Sequence, residues 1–250
     1  MDTGTLIAVV AIGAAVGFLG GMFGKGGSAI ATPLLAAIGI PAIVAVASPL
    51  PSTIPAALVA AYAYWREDLV DREVVRFAAV VGVPATIIGA YASRFTGGGP
   101  LLVTTEVVLI GIGLRLLQRP GQPHEVARDL THFRTRLVVV AAVVGLLSGL
   151  LANGGGFLLA PLFVLVLRLP IKRAFATSLV VAAALAVPGT IVHAALGHID
   201  WAVVLAFGCA AIPLSAVGAR VAIRTESVRL ERIYGAGLLA LGLITLATTL

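Results

Sequence analysis

The sequence predicts an all-α polytopic membrane protein made of two inverted repeats. Each repeat is a glycine-broken helical hairpin followed by three transmembrane helices, with the N- and C-termini outside. Composition, a duplicated glycine motif and the placement of basic residues predict it. Sixty per cent of the 250 residues are hydrophobic and 11% are charged, against about 25% charged in a soluble domain. Mean hydropathy is +1.09. No soluble fold of this length has interior enough for that apolar surface, so lipid must be its solvent. The net charge of +6 is then expected to mark a cytoplasmic face, with no nucleic-acid partner implied.

The chain opens on "MDTGTLIAVV", with Asp2 and no basic run, so block 4–23 reads as a retained membrane element and not as a signal peptide. Charge, proline and glycine set off further apolar blocks at 28–39, 41–64, 74–93, 100–117, 137–152, 156–168, 170–196, 201–222 and 231–249. A helical crossing takes about 20 residues. Blocks 28–39 and 156–168 are too short for that, and each directly follows a glycine cluster. Block 41–64 holds "SPLPSTIP", whose three prolines should kink or unwind its helix. Cys209 is the sole cysteine, so no intramolecular disulfide forms.

An internal duplication organises these blocks. "AAVGFLGGMFGKGGSAIATPLL" at 14–35 aligns without gaps to "AVVGLLSGLLANGGGFLLAPLF" at 142–163. "AVASPL" at 45–50 matches "AFATSL" at 174–179, and "VPATIIGA" at 83–90 matches "IPLSAVGA" at 212–219. The halves run 1–117 and 137–250, joined by a charged, proline-containing cytoplasmic linker at 118–136 that is expected to be a solvated loop. If each glycine-flanked pair of blocks is a hairpin, loops 65–76, 115–136, 168–173 and 220–232 share one side and hold 15 of the 17 basic residues. If each pair is one continuous crossing, the bias vanishes. The hairpin arrangement satisfies the positive-inside rule and gives each half an odd number of crossings, which inverts one half against the other.

Inverted repeats with broken helices suit a secondary transporter that binds substrate near the midplane. Gly17 and Gly21, four apart, are read as close-packing residues. The clusters "GKGG" and "NGGG" exceed what packing needs, and non-helical backbone at membrane depth belongs beside protein or a water-filled cavity. Helices starting near Ser28 and Gly156 would aim free N–H groups and positive dipole ends at an anion. The candidate site therefore takes Lys25, Gly26, Gly27 and Ser28 from the first half, and Asn153, Gly154, Gly155 and Gly156 from the second. Lys25 has two readings, a ligand in the site or a positive residue at the cytoplasmic interface. Ser48, Ser52, Thr53, Thr177 and Ser178 either line the path or bond back to their own helices. His193 is a candidate for proton coupling, while His198 and Asp200 in "GHIDW" read as outer loop residues beside an interfacial Trp201.

The paired segments "GFLGGMFGKGGSAIATPLL" and "GLLSGLLANGGGFLLAPLF", with the order of spans and the "GHIDW" turn, resemble the TauE/SafE (TSUP) sulfite exporter family. The resemblance covers nearly the whole chain. It implies a multi-pass transporter of the prokaryotic inner membrane. It also implies a small sulfur-containing anion as partner, such as sulfite, thiosulfate, sulfoacetate or a related organosulfonate, with co-transported protons as a further candidate partner and no cofactor. Lys25 departs from the family's runs of small residues, which leaves its role open. The alternatives are a passive anion channel or a carrier of a different small organic anion. A phosphate-binding loop is excluded, because Lys25 precedes the last glycines. A membrane enzyme is disfavoured: Glu106, His193, Ser148 and Lys25 make too thin a set for catalysis.

Overall fold

The computed structural model describes residues 2–24, 28–92, 110–118, 130–151 and 156–249, which contain helices and turns and no strand. In chain order the helices are α1 (Thr3–Phe23), α2 (Ser28–Ala37), α3 (Ala42–Ala47), α4 (Pro49–Trp65), α5 (Arg72–Ala92) and α6 (110–118). There follow α7 (Leu130–Leu151), α8 (Gly156–Leu165), α9 (Ile171–Ala195), α10 (Trp201–Arg224) and α11 (Ser227–Thr249). Five stretches among the described residues are long and apolar enough to cross a membrane: α1, α3 with α4, the 133–150 part of α7, α9 and α10. Helices α5 and α11, of 21 and 23 residues, also have crossing length.

Local chemistry sets the ends. The Asp2 carboxylate accepts the Thr5 N–H at 3.0 Å and caps α1. At the other end Gly24 takes φ +65°, a left-handed turn that glycine makes without a Cβ penalty. Helices α2 and α8 have 10 residues each, about 15 Å, or half the hydrocarbon thickness. Between α3 and α4 the helix is interrupted at Ser48, because Pro49 and Pro51 lack the N–H groups that would continue it. The aligned helix α9 runs unbroken through the same region, since Ser178 stands where the first half has Pro49.

The expected loop before the second half is shorter than the sequence suggested. Helix α7 already begins at Leu130. Phe133 is buried in the core, and Arg134 lies 3.5 Å from Glu73 and 5.6 Å above the Phe77 ring. These contacts to α5 hold the charged segment helical. Similarly, only Thr225 and Glu226 separate α10 from α11.

Packing follows an exchange between halves. Helix α1 packs most extensively on α10, and α5 on α7; α4 packs on α10 and α9 on α5; α4 and α9 meet in the middle. Gly13, Gly17 and Gly21 of α1 lie against the backbone of Phe207, Ala211 and Ser215, so the two helices run parallel and a methyl at any of the three would collide. Gly218 in turn lies against Phe18. In α7, Gly145 lies against Gly82 and Leu146 against Gly89. The sequence alignment converts the first set into the second: Gly17 becomes Gly145, Phe18 becomes Leu146, and Gly218 matches Gly89. The packing role read for Gly17 and Gly21 is what the structure has.

Candidate functional site

The serines and threonines within the spans join one half to the other. Ser48 Oγ accepts the backbone N–H of Asp200 at 3.0 Å, and Thr177 Oγ1 accepts that of Asp71 at 3.0 Å. Ser48 and Asp71 correspond to Thr177 and Asp200, each 129 positions further on, so the two hydrogen bonds are the same bond with the halves exchanged. Both aspartates also cap the helices that follow them. Asp200 accepts from Ala202 N at 2.8 Å and Asp71 from Val74 N at 3.1 Å. Asp200, exposed and outside the helices as the sequence suggested, thus also caps α10.

Three further hydroxyls cross between the halves. Ser52 Oγ donates to Val204 O at 2.9 Å, and Ser215 Oγ lies 2.7 Å from Ala56 O. Ser178 Oγ lies 2.7 Å from Gly24 O and 2.9 Å from Phe175 O, which pins the end of α1 to α9. Thr53 bonds back to its own helix, at Pro49 O, 2.9 Å away, as Ser178 also does at Phe175 O. Ser48, Ser52, Thr53, Thr177 and Ser178 are all buried, and each hydroxyl is engaged with backbone.

A small central cavity lies between α1, α4, α9 and α10. Gly17, Gly20, Gly21, Thr53, Ala211 and Ser215 are in its wall, which carries no charged side chain. Its volume of about 20 Å³ holds about one water, so an oxyanion enters only if these helices part. Small residues set that volume: the walls are the close α1–α10 approach and the α4–α10 seam fastened by Ser215.

Beside the first helix break, Phe23, Phe175 and Tyr234 form an aromatic cluster with ring centroids 4.8 to 6.2 Å apart. Tyr64 adds its hydroxyl to Gly21 O at 3.2 Å. Gly24 packs on Phe175 and Ser178, four and seven residues into α9. This places the end of α1 roughly 6–10 Å inside the start of α9. Lys25, Gly26, Gly27, Asn153, Gly154 and Gly155 lie outside the described residues, while Ser28 and Gly156 open α2 and α8. At the far end of α9, His193 Nδ1 is 3.2 Å from His198 Nδ1, a contact in which one ring donates to the other. Trp201 and Trp65 are exposed at helix ends, the latter beneath Arg72 at 4.6 Å.

Sequence reasoning missed Asp71, Ser215, Tyr64 and Tyr234. Extending the alignment without gaps from Ser48 and Thr177 reaches Asp71 and Asp200, so that pair had a signal. Ser215 and the two tyrosines join elements that no local pattern relates.

Five apolar helices of crossing length among the described residues, packed round a small cavity, define a multi-pass membrane protein. Residues 9–245 match the family model described as "Sulfite exporter TauE/SafE", and the chain belongs to that family of membrane transporters. A "Probable membrane transporter protein" of Xylella fastidiosa (strain 9a5c) is 29% identical over 247 residues, covering 94% of this chain and 92% of the relative. "Probable membrane transporter protein YunE" of Bacillus subtilis (strain 168) is 26% identical, covering 81% and 83%. YjnA of the same organism, also described as a probable membrane transporter protein, is 24% identical over 95% and 98%. No solved structure gives a significant match.

Proposed function

We propose that the chain is a secondary carrier of a small sulfur-containing anion, such as sulfite, thiosulfate, sulfoacetate or a related organosulfonate, working by alternating access of two inverted halves. The observation that carries this reading is the exchange of contacts. Gly17–Ala211 recurs as Gly145–Gly82, and Asp200–Ser48 as Asp71–Thr177. Two halves that present the same contacts in exchanged form have two equivalent ways to close, which is what alternating access needs. The small central cavity fits a closed carrier better than an open pore.

The inverted arrangement has support from the basic segments. Contacts Arg134–Glu73, Asp71–Thr177 and Lys172–Ile223, with the groove shared by Arg66 and Arg220, gather loops 65–76, 115–136, 168–173 and 220–232 together. That end is cytoplasmic by the positive-inside rule. Helix α1 runs parallel to α10 toward it, which supports the reading in which the N- and C-termini are outside. The repeats are 1–117 and 137–250, with the linker between them on the cytoplasmic side.

In this reading the anion meets the starts of α2 and α8. Ser28, Gly26 and Gly27, with Lys25, receive it in one half; Gly156, Gly155, Gly154 and Asn153 receive it in the other. Ser48, Ser52, Thr53, Thr177 and Ser178 border the path and hold it closed. His193, against His198, is the group through which protons couple. Uptake into liposomes, screened across sulfite, thiosulfate, sulfoacetate, taurine and sulfate, tests the substrate class; transport of none of them overturns it. In the same assay Lys25→Gln raises the apparent KM if the ammonium touches the anion, and an unchanged KM removes Lys25 from the site. His193→Gln should abolish the dependence of uptake on an imposed proton gradient, and a retained dependence excludes that role.

A further inference from the structure

At the end of the bundle where the basic segments gather, α4 and α10 leave a groove between them of about 320 Å³. Arg66, Arg220 and Arg224 line it, with Glu67 as its one carboxylate and Tyr62 beside them. Among the described residues, none of the three guanidiniums makes an ion pair or a side-chain hydrogen bond. Tyr62 is 67% exposed, and Val59, one turn further into the span, is exposed beside it. The groove is thus cationic at its outer end and apolar toward the membrane interior.

The duplication supplies a control. The positions equivalent to Arg66, Glu67 and Arg220 in the other half are Ala195, Leu196 and Tyr91, and Tyr62 is matched by Ile191. At these described positions the equivalent seam between α9 and α5 carries no charge. A positive-inside bias alone is met by basic residues anywhere in the loops. It does not require three unpaired arginines from helices of different halves to converge on one cleft.

We propose that this groove is a binding site for an anionic phospholipid, with the phosphodiester held by Arg66, Arg220 and Arg224 and the acyl chains lying along Val59 and Tyr62. Guanidinium groups suit phosphate oxygens because they offer paired N–H donors in a fixed plane. A basic pocket between helices at the cytoplasmic level is where such headgroups are recognised. A lipid there bridges α4 of one half to α10 of the other, across the seam that Ser215 fastens. The site stands independently of which substrate the protein carries.

Native mass spectrometry of the purified full chain tests it, with phosphatidylglycerol, phosphatidylcholine and inorganic phosphate as separate probes. Wild-type protein is expected to retain phosphatidylglycerol and not phosphatidylcholine, with inorganic phosphate failing to displace it. The combined Arg66→Gln, Arg220→Gln and Arg224→Gln changes should weaken retention at least tenfold. Glu67→Gln, which leaves the arginines in place, should strengthen it roughly fivefold by removing the opposing charge. Equal retention of phosphatidylcholine overturns the proposal in favour of a merely apolar groove. Displacement by inorganic phosphate overturns it in favour of a soluble anion. Unchanged retention in both variants places the lipid elsewhere.

Discussion

At the residue scale, polar side chains inside the spans serve first as fasteners. Ser48 and Thr177, both buried, each accept the backbone N–H of an aspartate that caps the following helix. Replacing Ser48 by Ala or Thr177 by Val removes that part-buried hydrogen bond, at a cost of about 0.5–1.5 kcal/mol. Thermal unfolding in detergent should show a similar loss for each, nearly additive in the double variant because the two sites share no partner. If one substitution destabilises and the other does not, the exchange relation between them is wrong. Tyr234 supplies the opposite case. It is 2% exposed and its hydroxyl has no hydrogen-bond partner among the described residues, so Tyr234→Phe should be neutral or stabilising in the same unfolding assay. A marked loss of stability would show that the hydroxyl has a partner after all. The hydroxyls themselves were visible in the sequence. Their partners were not, because an acceptor such as Val204 O or a donor such as Asp200 N is backbone and leaves no mark in residue type.

At the element scale, the glycine seams decide which helices can touch. Gly17 and Gly145 each face backbone of a helix from the other half, where a side chain has no room. Valine at either position should cost at least the roughly 1–3 kcal/mol of ordinary overpacking, because backbone yields less than a side chain does. The check is the fraction of each variant that elutes as folded monodisperse protein, which should fall sharply for Gly17→Val and Gly145→Val. It should stay near wild type for Gly237→Val, since a Cβ there meets open space. An unaffected Gly17→Val protein would mean that α1 and α10 do not approach as described. Most element boundaries were legible, since apolar blocks bounded by charge and glycine gave α1, α2, α8, α9 and α10 nearly as found. The early start of α7 was hidden because burial of Phe133 and the contact of Arg134 with Glu73 are tertiary facts. The different fate of α4 and α9 was half legible. Pro49 announced an interruption, and Ser178 at the aligned position permitted a continuous helix.

At the scale of the whole molecule, the two stretches that the sequence alignment pairs are fastened by each other's backbone. The alignment was readable from the glycine motif and two further matched segments, and α1 pairs with α10 as α5 pairs with α7. Sequence could not supply that pairing, because each glycine stripe is equally compatible with a neighbour in its own half. Function enters through the same interface. In the proposed reading, substrate movement opens one set of cross-half contacts while its counterpart stays closed, because the central cavity holds about one water. This predicts a carrier whose two gates are never open together.

Counterflow measures that property most directly. Liposomes containing the protein are preloaded with unlabelled sulfite and diluted into radiolabelled sulfite, and the internal label is followed with time. The account predicts a transient overshoot of label above equilibrium, absent from liposomes without protein. Label that rises steadily to equilibrium without overshoot would contradict alternating access and make the protein a passive pathway.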